Sequence, residues 1–357
     1  MDGMTYAPRS LIEVERVVGP GEFVVGVIGL DHGHIYAMAT GLEEAGAEIG
    51  VVYDPDPNKT ETFCQRFPLA RIASSEDEIL NDPAIDLVAS AIIPCKRAQL
   101  GLEVMKRGKH YFCDKPGMLT GDEVEAVRAA VKESGKRYFI YFGERIHVEG
   151  ALYVQRLIEE GRLGQVLSVT ILAPHRLNKA SRPAWFFDPA QNGGILTDIG
   201  SHQLEQYLTY TKTTRATVLQ SSVANYHNSD HPAFMDFGQC ILAGDNGATC
   251  YFRVDWFTPD GLGAWGDGRV FIVGTKATVE IRKYLDVATS NEGDQIFLVD
   301  SEGEHHIKVH GKIGFPFFAQ MVRDCIDGTD VAIGQEHTLL AMELAIEAQR
   351  TATLLTP

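Results

Sequence analysis

Short apolar runs alternate with amphipathic segments along the first 147 residues. Five runs have the length and composition of buried strands: Phe23–Gly29, Glu48–Tyr53, Asp86–Ile93, Lys109–Cys113 and Arg137–Phe142. Three helix-like segments lie between them: Asn58–Arg66, Lys96–Arg107 and Gly121–Ser134. Because strands that alternate with helices form crossover units, this region is expected to fold as an α/β domain with a parallel sheet.

The pattern changes after about residue 150. One more helix is predicted, followed by strand-like runs that are separated by turn signals. The predicted strands are Val166–Pro174, Thr214–Tyr226, Met235–Ala243, Ala248–Phe257, Arg269–Gly274, Thr278–Ile281 and Ile296–Val299. Two helices, about Pro316–Ile326 and Gln335–Leu354, end the chain. The second half is therefore expected to be an α+β domain built on a large, mostly antiparallel, open sheet.

A chain of 357 residues is too long for one ordinary core and suggests two domains. We expect an N-terminal extension at residues 1–22, an α/β domain at 23–147 and an α+β domain at 148–357. The C-terminal helices are candidates to pack back on the first domain.

Composition and charge exclude several classes of partner. The chain has 32 Lys and Arg against 48 Asp and Glu, a net charge of -16, which argues against nucleic acid or a membrane surface. No apolar run approaches the length of a membrane span, and the first 22 residues lack the pattern of a signal peptide. The six cysteines are scattered without a C-x-x-C pair, which fits a cytoplasmic protein without a zinc or disulfide framework.

A nucleotide-binding turn is predicted where the first strand meets the first helix. Gly29, Asp31, His32, Gly33 and His34 stand where a Rossmann domain has G-x-G-x-x-G, whose backbone amides face a pyrophosphate. The glycine register is incomplete. The order of strand, turn and helix nevertheless predicts a dinucleotide site.

The second strand ends at Asp54, twenty residues beyond His34. An acid at this place accepts hydrogen bonds from the adenosine ribose hydroxyls. The alternative is that Asp54 simply starts the Asp-Pro-Asp-Pro turn. Because Pro55 follows, and not an arginine for a 2′-phosphate, NAD is favoured over NADP. Asp31 would repel a pyrophosphate, so we expect its side chain to turn aside and cap the next helix.

Two further stretches carry acid–base chemistry. The first is Asp114-Lys115-Pro116, and the second runs from Gly193 to His202. In a helix, Asp198 and His202 at i and i+4 share one face. A lysine, a carboxylate and a histidine that converge beside a nicotinamide could polarise a hydroxyl, remove its proton and orient the base. Each residue alone could equally be structural: a surface lysine, a helix cap and a core histidine.

These motifs together resemble the Gfo/Idh/MocA family, named after glucose–fructose oxidoreductase, inositol dehydrogenase and a rhizopine-catabolism protein. The resemblance covers about residues 22–350. It implies an N-terminal Rossmann domain, a C-terminal sheet domain, and oxidation or reduction of a sugar, inositol or related polyol. Residue by residue it implies Lys115, Asp198 and His202 as catalytic residues, with His202 as general base. Lys115 and Pro94 would also border the cofactor.

The chain departs from the family pattern at three places. Asp114 replaces a glutamate before the lysine, and Glu205 takes the place of the acid usually seen after the histidine. The Asn and His often found after the proline of the fourth family strand are absent. That segment reads Cys95-Lys96-Arg97-Ala98, which alters the nicotinamide side of the pocket.

Substrate recognition is expected from the loop after Val166–Pro174. His175, Arg176, Trp185 and Asp188 combine aromatic faces for sugar carbons with polar groups for hydroxyls. The alternative is a surface loop anchored by Trp185. Three residues at the domain junction are weaker candidates: Glu144, Arg145 and His147.

Asp198, His202 and Glu205 could also be grouped as metal ligands on one helix. They lack an H-E-x-x-H signature, and hydride transfer needs no metal, so no metal is expected.

The leading hypothesis is an NAD-dependent dehydrogenase of a sugar, inositol or polyol. One alternative is a glycosidase that uses NAD transiently to oxidise and re-reduce its sugar. Another is a non-catalytic, dinucleotide-sensing regulator of the same fold. Because a broad sheet face usually needs covering, a homodimer or homotetramer through the C-terminal sheet is expected.

Overall fold

The computed structural model describes residue 6 and residues 8–356, which fall into two compact units. The first unit contains the described residues up to Tyr141, together with Gly314–Leu339. The second unit contains Phe142–Ile313 and the described residues from Leu340 onward. The chain thus leaves the first unit at Tyr141 and returns to it near the C-terminus.

The first unit contains a parallel sheet of six strands. They are β1 (Val24–Ile28), β2 (Glu48–Tyr53), β3 (Arg71–Ile72), β4 (Leu87–Ser90), β5 (His110–Asp114) and β6 (Tyr138–Tyr141). The order across the sheet is β3-β2-β1-β4-β5-β6, and every neighbouring pair is parallel. This is the doubly wound order in which ligands bind outside the carboxyl ends of the strands, where the order reverses.

Six helices of this unit lie wholly within it: α1 (His34–Glu44), α2 (Pro57–Arg66), α3 (Glu76–Asn81), α4 (Pro94–Lys106), α5 (Gly121–Ser134) and α11 (Phe317–Asp327). Their ends follow local rules. Thr120 and Glu123 form a reciprocal capping box at the start of α5, and Gly135 ends it in the left-handed region at φ 66°.

The returning segment completes the first unit. The Phe317 and Phe318 rings pack near Phe112 of β5, at centroid distances of 6.0 and 6.3 Å. A Cβ on Gly41 of α1 would come within 2.4 Å of the Phe318 ring, so only glycine allows this packing of α1 against α11. Gln335 donates to the carbonyl of Tyr138 and accepts from its amide, which satisfies the open edge of β6.

The second unit contains a mixed sheet of nine strands. They are β7 (Val166–Pro174), β8 (Ala216–Ala224), β9 (Phe237–Gly244), β10 (Thr249–Asp255), β11 (Arg269–Gly274), β12 (Thr278–Arg282), β13 (Gln295–Asp300), β14 (Gly303–Lys308) and β15 (Thr353–Leu354). The order is β14-β13-β12-β11-β7-β10-β9-β8-β15. The β7–β10 and β8–β15 pairs are parallel and the others antiparallel. The predicted fold class is confirmed in both halves.

Helices on the second sheet are α6 (Gly143–Ile146), α7 (Glu149–Glu159), α8 (Pro189–Asn192), α9 (Ile195–Asp198) and α10 (Gly200–Thr211). Short 3₁₀ turns occupy Lys179–Ser181 and Ala184–Phe187. The last helix, α12 (Gln335–Arg350), begins among residues of the first unit and ends among residues of the second.

One face of the nine-stranded sheet carries apolar side chains that remain accessible. Cross-strand register aligns Phe297, Glu280, Phe271, Thr170, Tyr251 and Ile241 in a single row. Phe271 and Ile241 are exposed, whereas the alternate positions Ile171 and Phe252 are buried. The sheet therefore has one core face and one open face.

Several local features differ from the predicted pattern. The short β3 and α3 were not anticipated, and the last predicted helix ends at Arg350, before β15 pairs with β8. Within the described residues, no helix has both the length and the apolar character to cross a membrane.

Candidate active site

The nucleotide turn of the first unit begins at Gly29, directly after β1. Gly29 has φ 81°, and a Cβ there would lie 2.7 Å from that of Ile92. A side chain is therefore excluded both by conformation and by space. The helix α1 starts at His34 after Gly33, without a side-chain cap. The His34 amide donates to His32 Nδ1 at 3.2 Å, and the helix N-terminus lies beside the turn, where its dipole would favour a pyrophosphate.

Asp54 lies at the end of β2, as predicted, but its carboxylate already has partners. One oxygen accepts from the Leu30 amide at 2.7 Å and the other from the Asp56 amide at 2.9 Å. The side chain is almost fully buried. It therefore holds the nucleotide turn against the end of β2, which gives Asp54 a structural role beside the predicted one.

The predicted role of Asp31 as a cap of α1 is wrong. One carboxylate oxygen binds Lys59 Nζ at 2.6 Å, and the other accepts from the Ile93 amide at 3.2 Å, just before α4. The side chain does turn aside, but toward α2 and α4. Lys59 offsets its negative charge, which reduces the predicted repulsion of a pyrophosphate.

Asp114 is the centre of a buried polar cluster at the carboxyl end of β5. His34 Nδ1 lies 2.8 Å from one carboxylate oxygen, and His32 Nδ1 lies 3.3 Å from the other. Burial alone would raise the pKa of Asp114, but the charges of His34, Arg97 and His32 hold that pKa well below its ordinary value of 3.8. Because an ionised carboxylate only accepts, His34 donates to it.

Arg97 of α4 ties this cluster to the predicted catalytic lysine. Its guanidinium donates to Asp114 at 3.1 Å and to the Pro116 carbonyl at 3.1 Å, and it also bonds the Lys115 carbonyl. Its Nε donates to the Ile92 carbonyl at 2.7 Å. The side chain is 1% exposed. A planar group with five donors suits several acceptors fixed in different directions.

Lys115 is itself buried, and its amide donates to Asp114 at 2.8 Å. The same carboxylate oxygen accepts from His34 of the nucleotide turn. The backbone of Lys115 is thus fixed to the turn that is predicted to hold the dinucleotide. Pro94, also predicted to border the cofactor, is the first residue of α4.

Three side chains of this cluster are close enough together to bind a metal ion. The possible ligand atoms of His32, His34 and Asp114 lie within 4.8 Å of one another. Hydrogen bonding accounts for this arrangement, since the Asp114 oxygens also face Arg97 and the Lys115 amide. Among the described residues, Asp198, His202 and Glu205 do not form such a group.

In the second unit, Asp198 and His202 do not lie on one continuous helix. Asp198 ends α9 and His202 lies in the first turn of α10, while Ile199 between the two helices has helical dihedral angles, φ -86° and ψ -40°. Asp198 lines a small cavity with Asn192, Phe234 and Trp256, whereas His202 is buried near the Phe142 ring. The helical backbone at Ile199 is compatible with the i, i+4 relation, and a shared face for the two side chains stays a prediction.

Glu144 of α6 forms a second buried polar cluster, which the sequence only hinted at. It accepts from Lys283 Nζ at 3.0 Å and from the Gln203 amide group at 3.1 Å, and His175 Nε2 lies 3.4 Å away. Burial alone would raise the pKa of Glu144, but the charges of Lys283, His202 and His175 hold it at about 2. Lys283 is fully buried, and no local pattern distinguished it from a surface lysine.

Arg145 and Glu205 form a neighbouring buried ion pair. Arg145 Nε lies 2.7 and 2.9 Å from the two Glu205 oxygens. Glu205 also accepts from Thr209. The acid predicted after the histidine therefore binds an arginine, while the charge of His202 is among those that lower the pKa of Glu144. His147, the third weak candidate, is buried.

The residues of the predicted substrate loop differ in their contacts. His175 packs against Trp265 and Trp256, with ring centroids 4.5 and 5.5 Å apart. Arg176 donates to the carbonyls of Pro259, Asp260 and Leu262 and lines an open cavity of about 560 Å³ with Trp256 and Lys179.

Trp185 and Asp188 lie further along this loop. Trp185 is half-buried beside Phe186. Asp188 caps α8 by accepting from the Ala190 amide and also binds Gln191. A cap explains this aspartate without a substrate, so its predicted binding role has less support than that of His175.

Family models match both halves of the chain. The oxidoreductase family with an NAD-binding Rossmann fold matches residues 23–142, and the Gfo/Idh/MocA C-terminal domain matches residues 151–280. The chain therefore belongs to the Gfo/Idh/MocA oxidoreductase family, which confirms the resemblance seen in its motifs.

Individual relatives agree with this placement. Levoglucosan dehydrogenase of Pseudarthrobacter phenanthrenivorans is 30% identical over 43% of this chain and 40% of its own length. The NADP⁺-dependent scyllo-inositol 2-dehydrogenase of Bacillus subtilis is 28% identical over 52% of this chain and 53% of its own. The chain thus matches about half or less of each of these relatives.

A solved structure covers more of the chain. A protein from Erwinia carotovora atroseptica SCRI1043, provisionally described as an oxidoreductase, is 43% identical and has a TM-score of 0.91. The match covers 94% of this chain and 100% of that protein.

Proposed function

We propose that this protein transfers a hydride between a nicotinamide cofactor and a hydroxyl or carbonyl of a sugar, inositol or related polyol. The supporting observation is that Asp114 binds both His34 of the nucleotide turn and the amide of Lys115. A cation that can polarise a substrate oxygen is thereby attached to the dinucleotide-binding half.

The residues of the first unit fit a dinucleotide. Gly29 leaves room for a close backbone approach, and the N-terminus of α1 favours a pyrophosphate. Bound nicotinamide would supply the hydride acceptor or donor. We propose NAD as the preferred form, since Pro55 follows Asp54 and Lys59, the nearby cation, is already bound to Asp31.

In the oxidation direction, His202 would take the hydroxyl proton while Lys115 stabilises the negative charge that develops on the same oxygen. Asp198 would bind a second hydroxyl. His175 and Trp185 would offer aromatic faces to sugar carbons, while Arg176 and Asp188 would mark the edge of the substrate site. These roles require Lys115 and His202 to act on one substrate oxygen.

A panel of polyols and sugars with NAD and with NADP tests the proposal, with reduced nicotinamide measured by absorbance. We expect Lys115→Met to lower kcat/KM by about 100-fold or more, because one electrostatic contact to a developing oxyanion is lost. Lys106→Met, which changes an exposed lysine at the end of α4, is the matched control and should retain activity. Activity that survives in Lys115→Met would refute the site.

Two other outcomes identify the alternative functions. Glycoside cleavage that requires NAD without net cofactor reduction would indicate a redox-assisted glycosidase. Dinucleotide binding without turnover of any substrate would indicate a sensing protein.

We further propose that the open face of the nine-stranded sheet joins copies of this chain in a homodimer or homotetramer. The row that includes Phe271 and Ile241 is apolar enough to need covering. Sedimentation should give an oligomeric mass that Phe271→Glu lowers. A monomeric native mass would contradict the proposal.

A further inference from the structure

The buried carboxylate of Glu144 contacts groups from three other parts of the second unit. It lies on α6 and is 4% exposed. Its partners are Lys283 after β12, His175 after β7 and Gln203 on α10. A carboxylate in such a place must be compensated, because burying a lone charge is costly.

Lys283 provides that compensation through a single contact. Its ammonium lies 3.0 Å from Glu144 and is fully buried. Burial lowers the pKa of Lys283, and the charge of Glu144 opposes that change. The other nearby cation, Arg145, is bound by Glu205, so Lys283 is the cation that offsets most of the Glu144 charge.

The same carboxylate lies close to the predicted general base, because the ring of Phe142, two residues before Glu144, has its centroid 6.2 Å from that of His202. Gln203, which donates to Glu144, directly follows His202 on α10. A positive charge on His202 favours the ionised form of Glu144. Because this interaction is mutual, ionised Glu144 favours a positive charge on His202.

We propose that Glu144, whose charge Lys283 partly offsets, is a positioning residue that sets the pH at which His202 can accept the substrate proton. The inference rests on the proposed function of His202. As a substrate is oxidised, the hydroxyl proton passes to His202, the hydride passes to the nicotinamide and a carbonyl remains. Glu144 then stabilises the imidazolium without taking the proton.

The inference makes opposite predictions for the two members of the pair. Glu144→Gln leaves His202 facing the Lys283 charge, so the titration midpoint of His202 should fall by about one pH unit. Lys283→Met leaves the carboxylate uncompensated, so the midpoint should rise by about as much. The double variant Glu144→Gln/Lys283→Met should lie between them. A merely structural pair would not give opposite signs.

Histidine-labelled protein measured by NMR across pH gives these midpoints without any substrate. His202→Asn assigns the resonance of His202 among the twelve histidines. Equal shifts in both single variants, or no shift in either, would overturn the inference.

Either single variant leaves an unpaired buried charge, so a milder pair of variants is needed as well. Glu144→Asp keeps the charge but withdraws the carboxylate by one methylene, and it should lower the His202 midpoint by a few tenths of a pH unit. Glu205→Asp makes the same change in the carboxylate bound by Arg145 and should leave the midpoint unchanged. An equal response in the two variants would count against Glu144.

Activity distinguishes failure of the inference from failure of the proposed function. If the protein is active, the acidic limb of kcat/KM against pH should shift in the same direction as the NMR midpoint. If no substrate is turned over while the midpoints shift as expected, the coupling stands and the proposed function fails.

Discussion

Each unit of this protein contains a buried carboxylate that contacts histidine and one cation, but the cations differ. In the first unit, Arg97 divides its donors among Asp114 and three backbone carbonyls. In the second unit, the contact of Lys283 with Glu144 is a single short ion pair. Arginine fixes positions through a planar set of donors, whereas lysine acts as a point charge.

The comparison separates two ways of preparing a site for chemistry. The Asp114 cluster fixes the backbone, because Asp114 accepts from the Lys115 amide and Arg97 donates to the carbonyls of Lys115 and Pro116. The Glu144 cluster instead holds a charged carboxylate in place, because the described partners of Glu144 are all side chains. We therefore expect changes in the first cluster to affect mainly stability, and changes in the second to affect mainly proton affinity.

The strongest test of this difference is Arg97→Met. It would leave Asp114 as an uncompensated buried charge and three carbonyls without their donor, so the free energy of unfolding should fall by about 3 to 5 kcal/mol. Denaturant unfolding measures this loss. Arg97→Lys should recover only part of it, because an ammonium cannot reach the same acceptors together. Full recovery by lysine would remove the distinction between the clusters.

The two clusters should also lose stability in different ranges of pH. Burial, reinforced by the charge of His34, lowers the pKa of His32 well below 6.5, so the unfolded chain binds a proton that the folded chain does not. This contribution to stability is complete above pH 6.5 and is lost as the pH falls below it. The lowered pKa of Glu144 gives stability above pH 4.5 that is lost as the pH falls toward about 2.

Unfolding measured as a function of pH separates these contributions. His32→Gln should flatten the dependence just below pH 6.5. The double variant Glu144→Gln/Lys283→Met should flatten it between pH 4.5 and 2, where the Glu144 contribution amounts to about 3 kcal/mol. Asp114 also titrates below pH 3.8, so part of the acid dependence will remain in both variants. Identical profiles for the two variants would contradict the assignment.

The smallest effect is expected for Asp31→Asn, which serves as a partly exposed reference within the first unit. Asp31 and Lys59 are 26% and 36% exposed, so losing their ion pair should cost less than about 1 kcal/mol of unfolding free energy. Thermal or denaturant unfolding measures it. A loss as large as that of Arg97→Met would show that burial does not distinguish these ion pairs.

Local patterns predicted most of the elements in both halves. Alternating strands and helices identified the parallel sheet, and turn signals separated the strands of the second sheet. The strand–helix alternation and the turn signals depend on residues that are close in sequence, as do helix caps such as Thr120. The division into α9 and α10 at Ile199 was not predictable, because the spacing of Asp198 and His202 is the same with or without it.

Contacts between distant residues explain what the sequence analysis missed at the site. Lys283 lies 139 residues from Glu144, and nothing in its neighbours marks it as buried. Arg97 could be recognised as a departure from the family pattern, but three of its four acceptors lie in the segment Asp114–Pro116. Motifs identified Lys115 and His202 as candidates, whereas the buried charged groups near them are brought together by tertiary structure.

The return of residues 314–339 to the first unit has a consequence for biosynthesis. When a ribosome has released β6, the segment that supplies Phe318 and Gln335 has still to be translated. Until then α1 lacks its partner and the edge of β6 lacks the amide that covers it. The nascent first half would thus expose an apolar helix face and an open strand, which is where chaperones and aggregation act on incomplete chains.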